Sequence, residues 1–306
     1  MAAAPTASPE RIKDANTRYH DAAAHEYDAK WGIDLGEVGQ EQVMSKLRKA
    51  LGRRPSTYGD SLEIGAGTGY FTLNLAQLGV IERPTATDIS PGMLATLAAS
   101  AADLGLDVRT VECEAEELPF EDESFDVVFG HAVLHHIPDL QRAFREFDRV
   151  LRPGGTLVFC GEPSRYGDTI AAVPKRAALA AAPLWRRAVG AGDRRVHPES
   201  NGDGGDHGLE WEVDVHAFTP GDLRSMLGAA GFGGIRIRGE ELLANAYGWV
   251  LRTLESTAEP DRVPVRWRDF AFHSYIALQR IDTSVLEPRL PPALFYNLVI
   301  SAKKPA

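Results

Sequence analysis

The stretch Leu62-Glu63-Ile64-Gly65-Ala66-Gly67-Thr68-Gly69-Tyr70 decides the fold that we predict for this chain. It joins the end of an apolar strand to three glycines at alternate positions, and a segment with Phe71, Leu75 and Leu78 on one helical face follows. Glycine permits a sharp turn and leaves no Cβ between the backbone N–H groups and a ligand. The stretch therefore predicts a strand, a nucleotide-type binding loop and a helix, with a glycine-rich turn that binds nothing as the alternative.

The spacing within this stretch narrows the class of ligand. A dinucleotide fingerprint needs Gly or Ala at position 70, where the ring of Tyr70 obstructs close packing of the helix on the strand. Nicotinamide binding is therefore disfavoured. Glu63, two residues before the first glycine, places a carboxylate in an apolar strand end and suits a ligand that carries a cationic amine.

A second acidic residue ends the next predicted strand. Residues 85–90 favour a strand in which Asp88 lies nineteen residues beyond Gly69, and this interval fits one βαβ unit. A carboxylate at this tip can accept both hydroxyls of a ribose. Met93, in the helix that follows, either lies against an adenine face or fills the core.

Two motifs resemble one known family. Glu63, Gly65, Gly67 and Gly69 meet the pattern acid-x-Gly-x-Gly-x-Gly, which is similar to motif I of the class I S-adenosylmethionine-dependent methyltransferases. The Arg-x-Leu-x-Pro-Gly-Gly turn of residues 149–155 resembles the type 11 branch of that family. The resemblance covers residues 61–162 and implies S-adenosyl-L-methionine as cofactor. It also implies an α/β fold with a Rossmann-like, doubly wound, seven-stranded sheet, mostly parallel with an antiparallel last strand between strands five and six, plus helical insertions.

The resemblance implies which residues hold the cofactor. Glu114 is expected to accept the exocyclic amine of adenine, whereas Glu116 and Glu117 are expected to be solvated. The N-terminal segment is expected to fold over the cofactor and to bring Tyr19 and Tyr27 to it. The predicted cofactor-binding set is Tyr27, Glu63, Gly65, Ala66, Gly67, Thr68, Gly69, Asp88, Ile89, Met93, Glu114, Ala115 and His131.

Histidines follow the fourth predicted strand, at the carboxyl edge where ligands of open α/β sheets bind. A neutral imidazole can accept the proton of an acceptor hydroxyl near neutral pH, so His135 and His136 are candidate general bases. Glu162 follows strand five, which neighbours strand four in this family's sheet, so its carboxylate can orient an imidazole. A hydrogen-bonding pair at the entry of a helix is the alternative for the two histidines.

These features predict an enzyme that transfers a methyl group to a small-molecule acceptor, at a hydroxyl oxygen. The alternatives are C- or N-methylation of a quinone, isoprenoid or other metabolite, and a non-catalytic accessory protein that binds the cofactor. The net charge of −10, from 33 Lys and Arg against 43 Asp and Glu, argues against a general nucleic-acid binder because phosphates would be repelled. A homodimer is compatible with the sequence.

The domain organisation follows from changes in composition along the chain. Cys113 and Cys160 lie in apolar strand-like segments and suit reduced residues in a cytoplasmic protein. The N-terminus lacks a signal-peptide pattern, and no apolar run predicts a transmembrane helix. We predict a disordered tail (1–10), an N-terminal helical cover (11–60), a cofactor-binding core (61–163, continued at 218–239), a lid-like insertion (164–217), a helical insertion (240–290) and a final core strand with its tail (291–306).

The insertion of residues 164–217 contains a basic, alanine-rich segment at 170–189. An apolar face with flanking cations can meet a lipid-like or anionic acceptor, or a membrane surface, and a solvated helix packed on the core is the alternative. The cations are Lys175, Arg176, Arg186 and Arg187. No metal site is expected, because His197, His207 and His216 share no ligand spacing.

Overall fold

The structure is a computed structural model that describes residues 8–23, 33–192 and 216–306. Its helices are α1 (Pro9–Ala23), α2 (Glu37–Leu51), α3 (Tyr70–Gln77), α4 (Pro91–Asp103), α5 (Leu140–Val150), α6 (Gly167–Val189), α7 (Pro220–Ala229), α8 (Leu243–Ser256) and α9 (Val265–Ile281). Its strands are β1 (Tyr58–Ile64), β2 (Ile81–Asp88), β3 (Arg109–Glu112), β4 (Phe125–His131), β5 (Leu151–Pro163), β6 (Gly233–Glu240) and β7 (Asn297–Lys303).

The strands form one seven-stranded sheet in the order β3-β2-β1-β4-β5-β7-β6. The pairs β1–β2, β1–β4, β2–β3 and β4–β5 are parallel, and the sheet is mixed because its last strands pair antiparallel. The last strand of the chain lies between β5 and β6, as predicted. The predicted Rossmann-like fold class is confirmed.

Capping side chains fix where the helices of the sheet begin. Ser90 accepts a hydrogen bond from the Met93 N–H at 3.1 Å, with Pro91 in the first turn of α4. Asp139 accepts one from the Arg142 N–H at 2.9 Å at the start of α5. The helix starts therefore follow from local chemistry that the sequence displays.

Side chains of β5 pack against helices on both faces of the sheet. Val158 and Cys160 lie in one buried cluster with residues of α2 and α3. Phe159, between them, points the other way and stacks on Phe147 of α5, with ring centroids 5.5 Å apart. Because both faces are covered, the carboxyl edge of the strands is the surface left for a ligand.

The Pro-Gly-Gly turn differs from its prediction. The sequence predicts a turn between the end of α5 and the start of β5, but β5 already begins at Leu151. Phe125 pairs with Leu151 whereas Val127 pairs with Thr156, so residues 152–155 form an irregularity within the strand.

The chain divides into two compact units. The core unit comprises residues 1–162, 206–237 and 299–306, and the helical unit comprises residues 163–205 and 238–298. Within the helical unit, α6 buries Ala178, Ala182 and Trp185 in one cluster with Leu254 and Val263. Among the described residues, no helix has the length and apolar character needed to cross a bilayer.

Candidate active site

The glycine loop leaves β1 at Ile64 and enters α3 at Tyr70. Gly65 has φ of 61°, and a Cβ there would lie 2.2 Å from Cγ2 of Val133, so no larger residue fits. Gly67 has φ of 52°, and its Cβ position has no heavy atom within 4 Å. The backbone of Gly67 therefore borders open space, which suits the close approach of a ligand.

Asp88, at the tip of β2, braces this loop. Its Oδ2 accepts a hydrogen bond from the Gly67 N–H at 2.8 Å, and its Oδ1 accepts one from the Ser90 N–H at 2.9 Å. Burial raises the pKa of Asp88 above its ordinary value, against the opposing effects of these bonds and of His20. The carboxylate thus connects the loop to β2 at the point where a ribose is expected.

A cavity of about 120 Å³ lies at the carboxyl edge of the sheet. The structure brings eight predicted site residues together in its lining, namely Gly65, Gly67, Asp88, Ile89, Glu114, Ala115, His131 and His136. The ring of His131 stacks on Phe71 with centroids 4.9 Å apart, so its orientation is fixed by α3.

Other predicted cofactor residues do not line this cavity. Met93 is 1% exposed and belongs to the core, so the structure supports the core alternative for this residue. Tyr27 lies outside the described residues, and the side chain of Tyr19 is not described. Ala66, Thr68 and Gly69 belong to the loop but not to the cavity lining.

Glu63 has a different environment from the predicted one. Its buried carboxylate accepts hydrogen bonds from the N–H of Thr72, at 2.9 Å, and from the Thr72 hydroxyl, in the first turn of α3. Burial raises the pKa of Glu63 to about 8, the bonds from Thr72 lower it, and the charge of Asp88 raises it further. Glu63 does not line the cavity, and its bonds from Thr72 make it a cap for α3. Its contact with a cationic amine stays a prediction.

The acidic segment after β3 also differs from its prediction in one residue. Glu116 is 5% exposed and lines the cavity, so the prediction that it is solvated is wrong. Its burial is balanced by Lys13 of α1, whose Nζ lies 3.3 Å from Glu116 Oε1 and also pairs with Glu114. Glu117 is exposed, as predicted, and pairs with Arg142 at 2.8 Å.

Glu162 organises the turn that follows β4. Its Oε1 accepts hydrogen bonds from the N–H groups of Val133 and Leu134, at 3.0 and 3.1 Å. Its Oε2 accepts one from the His135 N–H at 3.3 Å and lies 2.9 Å from Nδ1 of His135. This fully buried carboxylate therefore fixes both the backbone and one imidazole at the edge of the sheet.

The two histidines have separate places. His136 lines the cavity, whereas His135 is buried behind it and is the one that contacts Glu162. Their ring centroids are 3.9 Å apart. The predicted arrangement, in which one imidazole both faces the acceptor and contacts Glu162, is thus divided between two neighbours.

His216 supports the same turn through backbone atoms. Its N–H donates to the His135 carbonyl at 3.2 Å, and its Nε2 lies 3.0 Å from the Ile137 carbonyl oxygen. No group of three or more His, Cys, Asp or Glu side chains in the described ranges is arranged to hold a metal ion. His197 and His207 lie outside those ranges.

Helix α1 contributes residues that the sequence did not single out. Lys13, Asn16 and His20 line the cavity from one helical face. Asp21 fastens the helix by accepting hydrogen bonds from the Ser90 hydroxyl and from the Gly92 N–H, the latter at 3.0 Å. The sequence could have indicated this face, because Lys13, Asn16 and His20 are spaced by three and four residues. A polar helical face, however, more often indicates a face exposed to solvent.

The sequence of this chain is similar to those of known methyltransferases. The family model described as "Methyltransferase domain" matches residues 62–159. A demethylmenaquinone methyltransferase of Mycolicibacterium paratuberculosis is 36% identical over 170 residues, which are 55% of this chain and 69% of that protein. An uncharacterized protein of Mycobacterium bovis is 33% identical over 148 residues, 47% of this chain and 53% of its own length. The match thus spans about half the length of the Mycobacterium bovis protein and 69% of the demethylmenaquinone methyltransferase.

A solved structure shows the likeness of fold. Phosphoethanolamine N-methyltransferase 2 of Haemonchus contortus, solved in complex with S-adenosyl-L-methionine, superposes with a TM-score of 0.58 at 18% identity, over 98% of this chain and 60% of that one. The fold and the sequence matches together place this chain in the class I S-adenosylmethionine-dependent methyltransferases. Its residues 62–159 match the domain model of the type 11 branch.

The residues present fit the cofactor of this family, S-adenosyl-L-methionine. The open space beside Gly67 admits a ligand against backbone, and Asp88 offers a carboxylate at the cavity. Both features suit the binding of a nucleoside with free ribose hydroxyls.

Proposed function

We propose that this protein transfers the methyl group of S-adenosylmethionine to a hydroxyl oxygen of a small-molecule acceptor. The observation that carries the proposal is that His136 lines the same cavity as Gly67 and Asp88. A group that removes a proton is thereby held beside the cofactor half of the site, which is what methylation of a weakly acidic hydroxyl requires.

S-adenosylmethionine supplies an electrophilic methyl group on a positively charged sulfur. The loop at Gly67 and the carboxylate of Asp88 hold and orient its nucleoside part. His136 would take the hydroxyl proton as the oxygen–carbon bond forms and the sulfur–carbon bond breaks, with S-adenosylhomocysteine as the leaving product. The ring of His135 packs against that of His136, with centroids 3.9 Å apart, and so helps to fix its position. Glu162 is a positioning residue, because it holds His135 and the turn rather than the acceptor.

A second candidate function is C-methylation of a quinone-type acceptor. The relative that favours it is the demethylmenaquinone methyltransferase, of which this chain covers 69% at 36% identity. Ring carbons of a hydroquinone are activated once a phenolic proton leaves, so His136 would serve as base in either reaction.

Product analysis separates the two candidates. Purified protein is incubated with S-adenosylmethionine carrying a labelled methyl group, and with either catechol-type phenols or a reduced demethylated naphthoquinone. We expect mass spectrometry to find the label in an acid-stable O-methyl ether. Label on a ring carbon would assign C-methylation instead, and cofactor binding without turnover of any acceptor class would favour the accessory protein.

A further inference from the structure

Exposed apolar side chains are concentrated in the helical unit. Of the fourteen large hydrophobic side chains that are exposed among the described residues, eleven lie in this unit and three in the core unit. Isolated exposed apolar residues are ordinary, but a concentration of them marks a surface that meets another phase or another molecule.

Helix α6 is apolar on both faces. Its inner face buries Ala178, Ala182 and Trp185, whereas Val173 and Leu184 are each 71% exposed on the other side. No Asp or Glu occurs from residue 169 to residue 192. Asp168, in the first turn, is the one acid of α6, and from residue 169 onward its charges are all positive. An exposed apolar face flanked by cations is typical of a helix that lies at a lipid interface.

Helix α9 also exposes large apolar side chains. Only Ala271 of its seventeen residues is buried, although Val265 and Phe270 are 69% and 58% exposed. Its first turns contact the end of α6, because Trp267 meets Trp185 with ring centroids 5.3 Å apart, and Phe270 lies 5.9 Å from Trp267. We call five of the exposed residues around this contact the tryptophan-flanked patch: Leu184, Arg187, Val265, Arg266 and Phe270. Arg268 and Asp269 are also exposed beside them.

The charge of the helical unit differs from that of the chain. Residues 163–192 and 238–298 contain twelve Lys and Arg against nine Asp and Glu, and the whole chain carries −10. Three of those nine acids, Glu240, Glu241 and Asp282, are buried. Residues 193–215, with seven acids and two arginines, are outside this count. The described surface of the unit is therefore cationic on an acidic protein.

We propose that the tryptophan-flanked patch docks the protein on an anionic lipid surface. Leu184, Val265 and Phe270 enter the interface between headgroups and acyl chains, while Arg187 and Arg266 stay at the level of the phosphates. A second copy of the chain fits this patch less well, because a symmetric contact would bring two cationic surfaces together. This docking is independent of the acceptor that the active site methylates.

Vesicle co-sedimentation tests the proposal with the full-length protein. The probes are vesicles of phosphatidylcholine alone and of phosphatidylcholine mixed with phosphatidylglycerol, at low and high salt. We expect binding to the mixed vesicles only, weakened by salt and by the double substitution Arg187→Ala with Arg266→Ala. Leu184→Glu with Phe270→Glu should lower the bound fraction at least about tenfold, because each removed side chain loses its transfer to the apolar phase.

The matched control is Val38→Glu with Leu104→Glu, which makes the same change at two exposed apolar positions of the core unit. It should bind as the wild type does, and circular dichroism should show all variants folded. Wild-type protein that stays in the supernatant at low salt overturns the proposal, as does an equal loss in the control. Light scattering that shows a dimer converted to monomer by Leu184→Glu with Phe270→Glu would assign the patch to a second copy and also overturn it.

Discussion

At the scale of single residues, the site depends on buried carboxylates with defined partners. Asp88 holds the glycine loop, Glu162 holds the turn after β4, and Glu63 holds the start of α3. Each accepts a hydrogen bond from at least one backbone N–H group. Each therefore supports the fold in addition to any contact that it makes with a ligand.

Asp88→Ala should weaken S-adenosylmethionine binding by about 1–3 kcal/mol, because ribose hydroxyls lose a charged acceptor. Isothermal calorimetry measures the affinity, and a thermal melt records how much of the loss comes from the loop at Gly67. Glu117→Ala, at an exposed acid that pairs with Arg142, is the control. Unchanged affinity in the Asp88 variant would show that the ribose lies elsewhere.

His136→Ala should lower turnover by about a hundredfold or more while cofactor affinity stays nearly unchanged, if the acceptor is an alcohol. His135→Ala and Glu162→Gln should show smaller losses, because they act through the position of the turn. Wild-type turnover should rise with pH as the imidazole of His136 loses its proton. The variant with both His135 and His136 replaced by Ala should lose this pH dependence. His273→Ala, at an exposed histidine of α9, is the control. Full activity with both His135 and His136 replaced would rule out general-base catalysis at this site.

At the scale of elements, α3 depends on a carboxyl group contributed by the neighbouring strand. The N-cap of α3 is Gly69, which has no side chain, and Glu63 of β1 bonds to Thr72 in its place. Burial raises the pKa of Glu63 to about 8, so below that pH the folded protein favours the protonated carboxyl group.

This predicts a pH dependence of stability. Between the pKa of an unfolded glutamate, about 4.3, and the folded value of about 8, the folded state holds a proton that the unfolded state has lost. The free energy of unfolding should therefore fall as pH rises through this window, by about 1.4 kcal/mol per pH unit for this group, and level off above it.

Urea unfolding of Glu63→Gln across the same pH values checks this expectation. The free energy of unfolding of the variant should fall less steeply with pH than that of the wild type. The pH dependence that remains comes from other groups such as Asp88, whose pKa is also raised. Glu117→Gln should keep the wild-type slope. Parallel slopes for the wild type and Glu63→Gln would contradict a raised pKa at Glu63.

At the scale of the whole molecule, charge and apolar surface are distributed unevenly. The core unit carries the cofactor half of the site, and most of the exposed large apolar side chains lie in the helical unit. The acidic balance of the chain therefore does not describe the surface of the helical unit, and the vesicle experiment addresses that unit alone.

The sequence by itself determined the order of the elements and the fold class. It also predicted a site at the carboxyl edge of the sheet, where the structure has a cavity. These features depend on local chemistry that can be read from the sequence. Gly67 permits a positive φ, and Ser90 and Asp139 cap the helices that follow them. Only the tertiary structure decided that His136 rather than His135 lines the cavity, that Glu116 is buried beside Lys13, and that Glu63 caps α3. These outcomes depend on which side chains from distant segments meet, and the free energy of burying a charge is set by partners far away in the chain.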